Sequence, residues 1–197
     1  MIRAALTWLL LAVPAVADSL PALYAVTGVP ANDVLNIRAE PDAGATLIGT
    51  VPADAADVEV VALSPDGQWA QVNSGEVSGY TAVRYLRRQP GPEWFSLKTG
   101  LLCVGTEPFW SLSLQPQLDA LYSTPEIDTL LPILTRWSGA SHAPMVGLAL
   151  GDGGFITLRS AQCSDGMSDR SFGIASTLFL IGDTGPLTQT GCCSLLP

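Results

Sequence analysis

The stretch Val58–Val72, with the sequence VEVVALSPDGQWAQV, decides the fold of the chain. Its first part, Val58–Leu63, is rich in β-branched residues, which are enriched in strands. The next four residues, Ser64–Gly67, contain an Asp-Gly pair, a strong signal for a tight hairpin turn. The return segment, Gln68–Val72, alternates apolar and polar residues as a half-buried strand does. The stretch therefore predicts a β-hairpin within a small antiparallel sheet.

The same pattern extends outward over residues 22–88, where short apolar runs alternate with turn signals. A second turn is expected at Asn73–Glu76, before a strand at Val77–Thr81. The pattern stops at Gln89–Pro92, where two prolines and a glycine favour an extended linker or turn. We therefore expect one domain over residues 18–89 and a second over residues 90–197.

Five short motifs in residues 24–88 resemble the bacterial SH3 (SH3b) domain. They are, in chain order, Leu35–Pro41, Leu47–Val51, Gly67–Val72, Gly79–Thr81 and Tyr85–Leu86. Their order and spacing agree with the family, although Thr81 stands where the family usually carries valine. Threonine is also β-branched, so the strand is expected to persist. The resemblance implies binding of cell-wall peptides or other proteins rather than catalysis.

Alternation along the strands separates a core face from an outer face in this first domain. Asn36 and Arg38 are expected on the outer face of their strand. Three aromatic residues, Trp69, Tyr80 and Tyr85, are candidates for a binding groove. Core packing is the favoured interpretation of Trp69, and a packing role is equally open for the two tyrosines. The expected core residues are Leu35, Ile37, Leu47, Val58, Val60, Trp69 and Val72.

The second half also has mostly strand-like patterns. Alternating or apolar runs lie at Phe109–Leu114, Val146–Leu150, Phe155–Arg159 and Ser176–Ile181, and a Gly-rich turn separates the second run from the third. Residues Glu126–Leu131 are expected to form one short helix or a loop, capped by the preceding Thr-Pro. The predicted fold class is all-β, with an N-terminal SH3-like small barrel followed by a second small antiparallel β-barrel or sandwich with disulfides.

The four cysteines, Cys103, Cys163, Cys192 and Cys193, all lie in the second half. In an exported protein an even number of cysteines implies disulfides, and four cysteines allow three pairings. A bond between the neighbours Cys192 and Cys193 would close a strained eight-membered ring. Both remaining pairings are open. A metal site is not expected, because the chain has no CxxC pair and one histidine, His142.

Two motifs of the second half, Cys103–Trp110 and Cys163–Arg170, together with Gly191–Cys193, resemble an uncharacterised family of exported or membrane-associated bacterial proteins. That resemblance implies no activity. The residues themselves offer a polar ligand site in which Arg170 holds a carboxylate and Asp165 and Asp169 take amines or a cation, with calcium conceivable. The alternative is a tight loop whose aspartates cap backbone N–H groups.

Glu107 lies in the first of these motifs and is expected to pair with Arg170. Such a pair would join the two motifs. We include Glu107 among the candidate ligand-binding residues for that reason.

The first 17 residues read as a cleavable export signal. Arg3 precedes the apolar run 4–13, Pro14 interrupts it, and Ala15–Ala17 supplies small residues for cleavage before Asp18. No later segment is long and apolar enough to cross a bilayer, so the mature product is expected in the periplasm or secreted, without stable membrane insertion. The net charge of -9 disfavours binding to nucleic acid or anionic lipid.

The sequence lacks the residue combinations that the common hydrolytic mechanisms need. A serine hydrolase would need His142 beside a serine and an acid, and the chain has no Gly-x-Ser-x-Gly elbow. Cysteine catalysis is not expected where the thiols are oxidised. We therefore expect no enzyme activity and no cofactor.

The sequence leads to two functional hypotheses. The first is an exported binding or adaptor protein whose SH3b domain binds a peptidoglycan peptide or an envelope protein. The alternative is a cell-envelope enzyme, or an inhibitor of the kind that blocks lysozyme, acting through the loop that carries Asp165 and Arg170.

Overall fold

The computed structural model describes residues 19–139, 144–182 and 185–196 of the 197-residue chain. The predicted export signal, residues 1–17, and the predicted mature start at Asp18 lie outside the described residues. His142 lies outside them as well. The described part is built almost entirely from β-strands, in agreement with the predicted fold class.

The N-terminal unit contains two small antiparallel sheets. Its strands are β1 (Ala22–Val26), β2 (Val34–Arg38), β3 (Leu47–Pro52), β4 (Val58–Val60), β5 (Ala62–Leu63), β6 (Trp69–Ser74), β7 (Val77–Ala82) and β8 (Leu86–Arg88). One sheet has the order β4-β1-β8 and the other has the order β3-β2-β7-β6-β5. A short 3-10 turn, Val83–Tyr85, joins β7 to β8.

The single strand expected at Val58–Leu63 is divided between the two sheets. Its first half, β4, pairs with β1, and its second half, β5, pairs with β6. Val61 lies at the division, and its N–H donates to the carbonyl of Gln71 at 2.9 Å. One apolar run therefore bends from one sheet into the other, which encloses a shared core.

That core is formed by both sheets. Leu35 and Ile37 point inward from β2, while Asn36 faces out and Arg38 is only half-buried, as the alternation predicts. The prediction that Leu47 is a core residue is wrong, because Leu47 is 53% exposed. It lies on β3, the edge strand of the five-stranded sheet, at an irregularity in the pairing with β2. The buried members of the core are Ala22, Tyr24, Val26, Leu35, Ile37, Val60, Ala70, Val72 and Leu86.

The C-terminal unit is one nine-stranded antiparallel sheet. Its strands are β9 (Gly100–Gly105), β10 (Trp110–Leu114), β11 (Ala120–Ser123), β12 (Asp128–Leu131), β13 (Ile133–Ser138), β14 (Met145–Leu150), β15 (Phe155–Cys163), β16 (Phe172–Gly182) and β17 (Gly185–Leu196). The order is β12-β11-β10-β9-β17-β16-β15-β14-β13. The two end strands, β12 and β13, are consecutive in the chain and separated by Pro132, so the sheet forms a nearly closed barrel.

The short helix or loop expected at Glu126–Leu131 is replaced by the strand β12. β12 pairs with β11 over four residues, and Leu131 is buried in the barrel. Thr124 does cap the preceding turn, since its hydroxyl accepts the N–H of Ile127 at 3.2 Å. The helical expectation is wrong because β11 offers a partner for Asp128–Leu131, and pairing overrides a weak local preference.

The two disulfides join Cys103 to Cys193 and Cys163 to Cys192. Cys103 and Cys193 are direct partners in the pairing of β9 with β17, and both are buried. Adjacent residues of a strand point to opposite faces, so Cys192 faces away from the barrel interior and meets Cys163. Because their side chains point to opposite faces, the neighbouring Cys192 and Cys193 form separate disulfides.

The barrel interior is filled with side chains. Trp110 is 4% exposed and its ring stacks on Tyr122 with centroids 6.4 Å apart. Gly105 and Gly191 lie directly against this indole, and a Cβ on either residue would overlap it. The glycines of the Cys103–Trp110 and Gly191–Cys193 motifs thus make space for a core tryptophan, which gives both motifs a packing role.

Candidate functional site

A groove of about 250 Å³ crosses the outer surface of the N-terminal unit. The loop before β2 forms one wall, and Trp69 with the turn after β7 forms the other. Its lining residues are Gly28, Val29, Pro30, Asp33, Val34, Leu35, Asn36, Arg38, Ala43, Trp69, Ala82, Arg84 and Tyr85. A second hollow, lined by Gly67, Gln68 and Val83, shares Trp69, Ala82 and Arg84 with the first. The groove therefore continues on both sides of Trp69.

Trp69 stands at the start of β6, where the hairpin turn fixes its backbone. Its N–H donates to the hydroxyl of Ser64 at 3.0 Å, and that hydroxyl donates to the Asp66 carboxylate. The hydrogen bond from Ser64 and one from the N–H of Gln68 hold the pKa of Asp66 below its ordinary value. The indole is half-buried and lies outside the core cluster. Trp69 is therefore placed as a groove residue rather than as a core residue.

Tyr85 and Arg84 form the other polar and aromatic part of the groove. The guanidinium of Arg84 lies over the Tyr85 ring, 4.8 Å from its centroid. The carbonyl of Tyr85 accepts the N–H of Thr27 at 2.9 Å, which ties the turn to the opposite wall. A cation over an aromatic face is attracted by the ring quadrupole, so Arg84 is held where it can meet a ligand.

The charges in the groove have both signs. Arg38 is anchored, because its Nη1 donates to the carbonyl of Ala45 at 2.7 Å. Asp33 accepts the N–H of Val34 at 2.8 Å and keeps its side chain at the exposed wall. Together with Arg84 and Asn36, these groups can bind both the carbonyl or carboxylate oxygens and the N–H groups of an extended peptide.

Tyr80 does not join Trp69 and Tyr85 in the groove. It lies on the outer face of β7 opposite Gln71 and Arg38, and it is absent from the lining of both hollows. Gln71 in turn donates from Nε2 to the hydroxyl of Ser171 in the C-terminal unit, at 2.9 Å. Tyr80 thus lies beside the contact between the two units.

The carboxylate of Asp165 is occupied within its own loop. It accepts the N–H groups of Met167 and Ser168, each at 3.0 Å, and the Ser168 hydroxyl at 2.9 Å. Burial disfavours the ionised form, but these hydrogen bonds and the charge of Arg170 outweigh it and hold the pKa of Asp165 below its ordinary value. The structure has the tight-loop arrangement in which an aspartate caps backbone N–H groups.

Asp169 and its neighbours attach the C-terminal unit to the N-terminal unit. The N–H of Asp169 donates to the carbonyl of Glu76 at 2.9 Å, and its carbonyl accepts the N–H of Ser78 at 3.0 Å. Ser171 exchanges two hydrogen bonds with the side-chain amide of Asn73, at 2.9 and 3.0 Å. The loop expected to bind a ligand therefore contacts the first domain with its backbone.

Arg170 lies in the same contact region. Its guanidinium lies 5.0 Å from the centroid of the Phe172 ring, and its Nε is buried without a hydrogen-bond partner among the described residues. The expected pair with Glu107 does not form, since Glu107 is exposed in the turn after β9 and no ion pair joins the two residues. Glu107 has a φ of 60°, in the left-handed region, within the tight turn between β9 and β10.

Glu59 is an acidic residue of the contact region that sequence reasoning missed. It lies on β4 and accepts the N–H of Leu195 from β17 at 3.1 Å. Burial raises the pKa of Glu59 to about 7, although the hydrogen bond from Leu195 and the charge of Arg170 lower it. The sequence offers one signal, an acid in the middle of the apolar run Val58–Leu63.

Sequence reasoning also missed Asp33 and Arg84 as groove residues. Both are exposed charged residues outside regular strands, and such residues are usually only solvated. The sequence signal for Arg84 was its place directly before Tyr85 in a short turn. Nothing in the local pattern of Asp33 distinguishes it from the other acidic residues of the chain.

No family model, no curated protein and no solved structure matches this chain. In the described ranges, no helix has the length and apolar character needed to span a membrane. The same ranges contain no group of three His, Cys, Asp or Glu side chains able to hold a metal ion. The case for function therefore rests on the geometry of the groove.

Proposed function

We propose that this protein is exported and acts as a non-catalytic binding protein, whose N-terminal unit is an SH3b domain that binds an extended peptide. The observation that carries the proposal is the groove in which Trp69 and Tyr85 stand beside Arg84. Apolar surface with a few placed polar groups is typical of ligand sites. Two disulfides support an oxidising compartment, as expected for the periplasm or a secreted protein.

The ligand we favour is a peptidoglycan peptide, with an extended segment of an envelope protein as the other candidate. Both present backbone amides and carboxylates to the groove. Arg84 and Arg38 suit the carboxylates, while Asp33 suits N–H groups or an amine. A chain with a net charge of -9 that nevertheless places two arginines in one groove favours a ligand with acidic groups.

The alternative function depends on the loop that carries Asp165 and Arg170. That function is a cell-envelope enzyme or a lysozyme-type inhibitor. Asp165 caps its own loop, and the backbone of Asp169 contacts the N-terminal unit. These contacts occupy the Asp165 carboxylate and the backbone of Asp169, so we prefer the groove.

The test is sedimentation of the full chain with purified peptidoglycan, followed by titration with its soluble stem peptide. We expect Tyr85→Ala to reduce binding at least about tenfold, because one aromatic contact contributes more than 1.4 kcal/mol at a well-placed site. The matched control is Tyr80→Ala, which removes the same side chain outside the groove and should leave binding unchanged. If the wild-type chain stays in the supernatant and the peptide does not bind, peptidoglycan is not the ligand. Equal effects of the two substitutions would exclude the groove.

A further inference from the structure

Among the described residues, one edge of the strand β13 has no paired neighbour. This strand ends the order of the nine-stranded sheet, and within the described residues its paired neighbour is β14. The residues from Leu134 to Ser138 are all exposed, including Leu134 at 66% and Trp137 at 52%. Ile133 packs against the barrel core, whereas the residues that follow it are exposed on both faces of the strand. An apolar, exposed edge strand is a template for pairing with another strand.

The register shows which backbone groups face the free side. Trp137 is opposite Gly147, and the N–H of Gly139 donates to the carbonyl of Met145 at 2.5 Å. In antiparallel sheets, hydrogen-bonding residues alternate along each strand, so Trp137 and Gly139 point their N–H and C=O groups at β14. Arg136 and Ser138 therefore point theirs away from the sheet, towards the free edge.

An aromatic row runs from this edge across the outer face of the barrel. The rings of Trp137 and Phe155 are 5.8 Å apart, and both lie against Gly147, which has no side chain to separate them. Phe155 is the direct partner of Phe179 on β16, which is 42% exposed. A contiguous exposed apolar surface of this kind marks a site of association.

We propose that the β13 edges of two copies of this chain pair antiparallel, with Trp137 on the twofold axis. β13 carries no carboxylate, so two acidic chains can approach along it without repulsion between carboxylates. The only charge of the strand is Arg136. An axis through Arg136 would set like charges directly opposite, which is destabilising. An axis through Thr135 would extend the contact into the stretch between Ile133 and Thr135, where the register of β13 against β14 is irregular.

The axis at Trp137 satisfies the exposed backbone groups. It places Arg136 of each copy opposite Ser138 of the other copy. Each of these two pairs exchanges two hydrogen bonds, because the backbone N–H and C=O groups of both residues point to the free edge. The two Trp137 side chains then meet on the outer face. The aromatic rows of the two copies become one row across the new sheet, and aromatic cross-strand pairs stabilise such a sheet.

Sedimentation velocity on the full chain tests the pairing. At about 100 μM, a dimer with a micromolar dissociation constant is nearly fully formed, so the wild-type chain should sediment as a dimer. Ser138→Pro removes the N–H that faces the free edge and leaves the bonds to β14 in place, and edge strands tolerate proline. We expect Ser138→Pro to weaken dimerisation at least about tenfold, because two hydrogen bonds are lost per dimer. Ser138→Ala keeps the N–H and should dimerise like the wild type.

A cysteine cross-link tests whether the twofold axis passes through residue 137. It also tests the pairing of the two copies if Ser138→Pro fails to fold. Residues opposite each other in a non-hydrogen-bonded pair have Cα atoms about 4.5 Å apart, which a disulfide can span. Trp137→Cys should therefore form a disulfide-linked dimer under mild oxidation. Met145→Cys, which is equally exposed one strand further from the edge, should not. A monomeric wild type at this concentration, equal dimerisation of the two Ser138 variants, or no preference for the residue 137 cross-link would each overturn the proposal.

Discussion

Trp110 of the C-terminal unit and Trp69 of the N-terminal unit have opposite surroundings. In the C-terminal barrel Trp110 is buried against Gly105 and Gly191, and side chains fill the interior. In the N-terminal unit Trp69 and Tyr85 remain half-buried beside a groove with charged walls. Both units are small antiparallel structures, so strand content does not distinguish them. Ligand binding is therefore expected of the first unit, and the barrel is expected to contribute stability and attachment.

This difference changes the interpretation of the most distinctive motifs. The Cys103–Trp110 and Cys163–Arg170 motifs stand out in the sequence, yet the first packs a core tryptophan and the second attaches one unit to the other. Unusual residue combinations arise where packing is demanding as well as where chemistry occurs.

Removal of the buried disulfide between Cys103 and Cys193 is expected to lower the free energy of unfolding more than any other change to either unit. Replacing Cys103 and Cys193 together by alanine opens a link between residues 90 positions apart, which should cost about 4–5 kcal/mol in the free energy of unfolding. The pair Cys163 and Cys192, with a separation of 29, should cost about 3–4 kcal/mol. Guanidinium unfolding measures both, and the reverse order would contradict the assignment of the first bond to the core.

Truncation of the core tryptophan should come next. Trp110→Ala should lower the free energy of unfolding by about 3–5 kcal/mol, because it leaves a cavity between Tyr122 and two glycines that cannot fill it. Peptide binding by the groove should be unchanged at a temperature where the variant is folded. A loss below about 1 kcal/mol would show that the barrel interior is not closely packed.

Glu59, at the contact between the two units, should make the free energy of unfolding depend on pH, by an amount of order 3 kcal/mol. Burial raises the pKa of Glu59 from 4.5 to about 7, so the folded chain holds this proton more tightly than the unfolded chain does. The stabilisation from this group is complete below pH 4.5 and is lost as the pH rises to about 7. Glu59→Gln stays neutral and should exceed the wild type in stability by of order 3 kcal/mol at pH 8.

The control for Glu59→Gln is the same comparison at pH 4.5, where the two chains should be about equally stable. Denaturant titrations over this pH range measure the difference. A difference that stays constant between pH 5 and pH 8 would show that Glu59 ionises at its ordinary pKa.

The smallest expected effect on stability belongs to the groove tryptophan. Trp69→Ala should lower the free energy of unfolding by about 1 kcal/mol or less, because the indole is half-buried and leaves no closed cavity. Its effect on peptide binding should be far larger, at least about tenfold. A thermal unfolding curve and a binding titration on the same sample separate the two quantities. A stability cost equal to that of Trp110→Ala would remove the contrast between the units.

Local patterns predicted many of the strands. The hairpin of β5 and β6 follows from its Asp-Gly turn, and the hairpin of β14 and β15 follows from the glycines between two apolar runs. The strand β12 was missed, because a short Thr-Pro-capped segment has no strong period of its own. Leu47 was assigned to the core because apolar character does not reveal which strand lies at a sheet edge.

The candidate site was predicted only in part. Aromatic residues are scarce enough to draw attention, so Trp69 and Tyr85 were found, while Tyr80 was grouped with them although it lies beside the domain contact. The polar residues Asp165, Asp169 and Arg170 were candidates for a ligand site, with a tight capped loop as the alternative. The Asp165 carboxylate caps its own loop, and the backbone of Asp169 bonds to residues of the first domain about 90 positions away.

The sequence by itself determined the all-β class, the alternation of faces along each strand and the exclusion of a bond between Cys192 and Cys193, because these depend on neighbouring residues. The tertiary structure alone decided the disulfide partners, the raised pKa of Glu59 and the joining of Trp69 and Arg84 in one groove. The physical reason is that strand alternation is local, whereas burial and contact depend on which strands become neighbours. That choice is made by the packing of the whole chain.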